Sequence, residues 1–118
     1  MKVSLRKGID LRAEHLQGWL RAEKAYVVLT VEQHSADSLG FRIESEDGGQ
    51  PVVFKASLFE VLDGSLPKSW RVLSVRENVL ELGPEPFGQE GFWERYFDRD
   101  PEALELYRLV KTMVIADS

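Results

Sequence analysis

The chain contains no cysteine. Disulfides, thiolate nucleophiles and cysteine-bound metal are excluded together, and a reducing, cytoplasmic setting is expected. Histidine is almost as scarce, with His15 and His34 the only two. An imidazole relay would need one of them. Glu14 beside His15 points to another side of its helix, and His34 falls in a polar loop, so both read as surface or half-buried side chains. The pair also lacks the ligand spacing of a metal site. None of the nine serines stands in a Gly-x-Ser-x-Gly elbow. There is no Walker sequence, and Gly83, Gly88 and Gly91 do not make a Gly-x-Gly-x-x-Gly phosphate cradle. No cofactor and no metal are therefore expected. No apolar run approaches the roughly 20 residues of a membrane helix. The opening MKVSLRKGID is basic without an apolar stretch behind it, so it does not read as a secretory signal.

Positive charge is also short. Fifteen Lys and Arg face 20 Asp and Glu, a net charge of −5. The balance is uneven along the chain. Met1 to Lys24 has six bases and three acids, whereas Glu77 to Ser118 has four bases and ten acids. Nucleic-acid binding needs clustered positive charge, so no nucleic-acid partner and no membrane partner are expected. An acidic C-terminal third suits a protein partner with a basic surface.

What is present is an ordinary globular composition of 118 residues, 43% apolar and 30% charged, enough for one domain with one core. The chain reads as an N-terminal strand and helix segment (1–23), a β-rich body (24–82), a Pro/Gly loop (83–91) and a C-terminal helical arm (92–116). Asp10 suits the cap of a helix through Gln17 that Gly18 stops. Ala25 to Val31 is β-branched and apolar on both faces, which predicts a central strand. Leu39, Phe41 and Ile43 alternate with Gly40, Arg42 and Glu44, a strand expected to keep one face wet. Glu46 to Gly49 is a hairpin turn, succeeded by a return strand from Pro51. Ser57 and Glu60 have capping-box spacing, which favours a helical turn over Leu58 to Leu62, with an unbroken strand as the alternative. Trp70 to Val75 and Val79 to Leu82 form a second hairpin around Asn78. Two prolines and three glycines forbid regular structure from Gly83 to Gly91.

The chain is organised around Gly91 to Glu105. Phe92, Trp93, Tyr96 and Phe97 put four aromatics into six residues on one helical turn. Asp100 then reads as an N-cap, Pro101 as the first helical residue and Glu102 as a first-turn carboxylate. Asp98, Asp100 and Glu102 alternate like the start of a calcium loop, but Ala103 and Leu109 fill its sixth and twelfth positions, where Gly and Glu are needed. The last helix presents Ala103, Leu106, Tyr107, Val110, Met113 and Val114 as one stripe, widened by Leu104, Leu109 and Ile115.

These readings predict an α+β fold. Its sheet is small and antiparallel, strongly twisted or curled into a partly open, SH3-like β-barrel of about five strands. An N-terminal helix and C-terminal helices pack on it. A flat sheet with helices on one side is the alternative. The expected function is a non-enzymatic protein-interaction module, in its sharpest form an immunity or antitoxin-like protein that blunts a basic partner by charge mimicry. Phe92, Trp93, Glu94 and Tyr96 are its candidate binding residues, since so many aromatics beside a Pro/Gly loop cannot all turn inward. A small-molecule or catalytic pocket between the sheet and the C-terminal helices is the second reading, with Glu94, Tyr96 and His15 as its ionisable groups. Self-association through the aromatic turn is the third.

Overall fold

In the computed structural model, which describes residues 1–118, eight strands form two antiparallel sheets and two helices pack on the larger one. The strands are β1 (Lys2–Leu5), β2 (Tyr26–Val27), β3 (Thr30–Gln33), β4 (Leu39–Glu44), β5 (Pro51–Lys55), β6 (Phe59–Asp63), β7 (Trp70–Arg76) and β8 (Val79–Pro84). The helices are α1 (Phe92–Phe97) and α2 (Pro101–Ala116). Strand order is β2-β1-β6 in one sheet and β5-β4-β3-β8-β7 in the other. No helix is long and apolar enough to cross a membrane.

The run Ala25 to Val31 joins the two sheets. It is not one strand: it bends at Val28 and Leu29, so that β2 pairs with β1 and β3 pairs with β4 and β8. The bend keeps its hydrogen bonds. Val28 N donates to Met1 O (3.0 Å) and Leu29 N donates to Arg42 O (2.8 Å). Val28 enters a core between the sheets with Val3, Phe41, Ile43, Phe59 and Trp70. Leu29 enters a second core, between the five-stranded sheet and the helical arm, with Phe87, Phe92, Tyr107, Val110 and Val114. The segment is apolar on both sides because a core lies on each.

Several expectations change. Residues 11–15 and 17–19 form successive turns in place of the N-terminal helix. Asp10 does cap, its carboxylate accepting from Arg12 N and Ala13 N, but His15 and Gly18 take positive φ (58° and 80°) and break any continuation. Leu16 and Leu20 anchor these turns in the first core. The capping box at Ser57 does not form. A 3₁₀ turn over Ala56–Leu58 has no side-chain cap, and Phe59 to Asp63 is strand β6, held by pairing with β1. The Pro/Gly loop is shorter than expected. β8 runs on to Pro84, whose missing N–H falls at the end of the ladder, and Glu85–Gly88 is a 3₁₀ turn.

β4 departs from expectation in a way that matters for the site. Its polar face is only partly wet: the helical arm covers Arg42, whose side chain is 12% exposed, while Glu44 beneath Tyr107 and Lys111 keeps 33%. The hairpins form as expected, with Gly48 and Gly49 at φ 69° and 67° and Asn78 at 58°. Asp100 caps α2 by accepting from Ala103 N at 3.1 Å. Ala103, Tyr107, Val110 and Val114 make the buried side of α2, while Leu109, Met113 and Ile115 stay exposed.

Candidate functional site

The aromatic turn is positioned from below by a polar row on the five-stranded sheet, buried at Thr30 and Glu32 and half-buried at Arg42 and Glu44. Residues 30 and 32 of β3 and 42 and 44 of β4 point to the helix side, because their neighbours Val31, Phe41 and Ile43 fill the first core. Glu32 is 5% exposed. Its carboxylate accepts from Thr30 Oγ1 (2.6 Å), Arg42 Nε (2.8 Å) and Arg42 Nη2 (3.3 Å), and His34 Nε2 lies 3.1 Å away. Burial alone would raise the Glu32 carboxyl above the usual range. The bonds and charge of Arg42, with help from Thr30 and His34, more than offset that and leave it lowered. Arg42 also donates from Nη1 to Pro51 O (2.9 Å), and its guanidinium stacks 4.1 Å from the Trp93 ring centre. Glu44, one pleat further along β4, accepts from Tyr107 Oη (2.7 Å) and Lys111 Nζ (3.0 Å). Burial and that bond to Glu44 push the Tyr107 hydroxyl far up, so it remains a donor.

Above this row the aromatics interlock. Phe87 stands 5.2 Å from Phe92 and 4.9 Å from Trp93, and Tyr96 packs 4.7 Å from Tyr107. Gly91 enters α1 at φ 74°, a conformation that glycine holds without strain. Beside the cluster, the segment Phe87–Glu94 and the β7–β8 hairpin border an open cleft of about 520 Å³. Ser74, Arg76 and Glu81 line one wall; Trp93, Glu90 and Glu94 line the other. Glu90 and Glu94 are exposed and carry no ion pair. Glu81 lies 3.7 Å from His34 Nδ1. The lining thus holds three carboxylates and one guanidinium.

The candidate residues divide. Trp93 is half-buried and Glu94 is exposed, and both line the cleft. Phe92 is 1% exposed and belongs to the second core; only its margin reaches the cleft. Tyr96 turns away, toward Tyr107 and the charge of Glu44. His15 is exposed on the N-terminal turns and is no part of the cleft. Arg76 and Glu81 went unrecognised in sequence, because they lie on strands whose helix-side positions become visible only once the register is known. Glu32 and Arg42 had a signal, polar residues at every second position of two adjacent strands.

By formal charge the cleft lining is acidic, with three carboxylates against one guanidinium. The Thr30, Glu32 and His34 side chains do not form a nucleophilic relay, since the carboxylate sits between hydroxyl and imidazole, where a relay needs the imidazole in the middle. No three His, Asp or Glu side chains converge as metal ligands. Compared with protein-family models, with curated proteins and with solved structures, the chain has no match.

Proposed function

We propose that this protein is an interaction module whose cleft receives a basic side chain from a partner protein. The observation that carries the reading is the cleft's lining: Glu81, Glu90 and Glu94 outnumber Arg76 beside Trp93, and Glu90 and Glu94 are unpaired. Lysine and arginine gain from both parts of such a site, the carboxylates and the indole. Arg42 already covers one face of Trp93, so the ring is held rigid and an incoming cation meets an ordered wall. A partner with a basic surface, such as a nuclease presents to its substrate, fits the charge of the C-terminal third. In its sharper form the module is immunity-like and masks such a surface. The two sheets are read as halves of a partly open, SH3-like barrel, on the ground that the bent Tyr26–Gln33 run pairs into both.

The test is calorimetric titration of the full chain with arginine-rich and lysine-rich peptides at low and high salt. Glu90→Gln with Glu94→Gln is expected to weaken binding about tenfold at low salt, and added salt to weaken the wild type likewise. Equal affinity of the wild type and the double variant, or binding indifferent to salt, would overturn the reading.

A further inference from the structure

The β3–β8 ladder sets two carboxylates side by side. Glu32 of β3 stands directly opposite Glu81 of β8, so both side chains lie on the same side of the sheet. Like charges in that relation repel. Glu32 is compensated by Arg42 and Thr30. Glu81 has no such support, and its one ion-pair contact is with the imidazole of His34. Gly40, opposite Glu32 on β4, and Ser74, opposite Glu81 on β7, bring no charge. Arg42 reaches the imidazole only through Glu32, and neither Arg76 of the cleft wall nor Asp37 of the loop after His34 makes an ion pair.

His34 thus touches both members of the acidic pair. Its Nε2 lies 3.1 Å from Glu32 Oε1 and its Nδ1 lies 3.7 Å from Glu81 Oε1. A neutral imidazole carries one N–H, so it donates to one carboxylate and turns a bare nitrogen to the other. The imidazolium donates to both. The side chain is 54% exposed, which leaves it open to protons from solvent. Histidine is the side chain whose charge ordinarily changes close to neutral pH.

We infer that His34 is a proton-operated regulator of the cleft: once protonated it pairs with Glu81, and the lining loses one of its three free carboxylate charges. His34 is not itself in the lining and acts through Glu81, as a positioning residue. The consequence for binding rests on the cleft reading above, whereas the coupling of His34 to Glu81 does not. Cation binding is strongest with the imidazole neutral and weakens as pH falls through its titration, a range in which carboxylates ordinarily keep their charge. Linkage makes the effect reciprocal, since a cation held in the cleft expels the imidazole's proton.

Proton NMR titration of the full chain follows its two imidazoles separately. Glu81→Gln is expected to lower the His34 midpoint by about 0.5 pH unit. His15, exposed on the N-terminal turns, keeps its midpoint and serves as the control. An unmoved His34 midpoint overturns the inference, whatever the cleft binds. Calorimetry with an arginine-rich peptide, whose guanidinium groups do not titrate, is then compared at about pH 8 and about pH 5.5 in low salt. The wild type is expected to bind about fivefold more weakly at the lower pH, and His34→Gln to change by less than about twofold. Equal pH dependence in the two proteins overturns the inference. Peptide binding absent at every pH, with the His34 midpoint still lowered in Glu81→Gln, overturns the cleft reading and supports the coupling.

Discussion

Glu32 and Arg42 show what a single buried charge requires. A carboxylate 5% exposed is tolerable only because three donor groups from Thr30 and Arg42 meet it. Removing one charge leaves the other desolvated and alone, so Glu32→Gln is expected to cost about 3 kcal/mol in denaturant unfolding at neutral pH. The pH dependence arises from the lowered Glu32 carboxyl. A group depressed in the folded state contributes stability above its unfolded value, about 4.3 for glutamate, and loses it as pH falls through the folded one. The gap between wild type and Glu32→Gln should therefore be full at neutral pH and close in acid below that value. A gap constant with pH would show that the carboxylate's charge is not what matters. Trp93 should report the same loss, since the guanidinium that fixes its ring is tied to Glu32. Its fluorescence is expected to shift in Glu32→Gln before global unfolding.

At the scale of elements, two caps make opposite predictions. Both Ser57 and Asp100 stand where a capping residue is expected. Asp100 accepts from Ala103 N, and Asp100→Ala is expected to lower stability by about 1 kcal/mol. Ser57 has no such bond, so Ser57→Ala should stay within about 0.5 kcal/mol of wild type by chemical denaturation. A cost at Ser57 equal to that at Asp100 would contradict strand β6 beginning at Phe59. The physical difference lies in the residues after each cap. Asp100 precedes Pro101 and a residue pattern that only a helix can bury. Ser57 precedes Phe59, which β1 recruits into a ladder opposite Leu5. Local propensity at residues 57–62 is close to balanced, and long-range pairing decides it.

The whole molecule has two cores sharing the five-stranded sheet, and that sharing should make unfolding cooperative. Phe59 lies in the core between the sheets and Phe92 in the core under the helices. Each of Phe59→Ala and Phe92→Ala is expected to cost about 3–5 kcal/mol. In each variant, far-ultraviolet circular dichroism and tryptophan fluorescence should track one transition. Two separated transitions in either variant would mean that the helical arm and the sheets fold independently. The bent run at Val28 and Leu29 argues for one unit, since adjacent residues serve opposite cores and neither core can open without moving it.

Much of this fold was legible in the chain, and the legible parts share a cause. The β4–β5 turn at Gly48 and Gly49, the β7–β8 turn at Asn78 and the start of α2 at Asp100 are set by backbone conformations and bonds within a few residues. The site was half legible. Trp93 and Glu94 stood out by composition, but the wall that faces them, Arg76 and Glu81, comes from a hairpin placed there by the register of β7 and β8. Alternation along β4 told which residues share a side and could not tell what covers that side. Arg42 and Glu44 read as solvated because polar residues usually are; only tertiary packing brought Glu32 and Tyr107 to meet them. Sequence by itself determined where the chain turns, caps and alternates, because those depend on neighbours. The three-dimensional structure alone decided which faces are dry, where the cleft opens and which side of α2 is left bare, because those depend on segments distant in sequence.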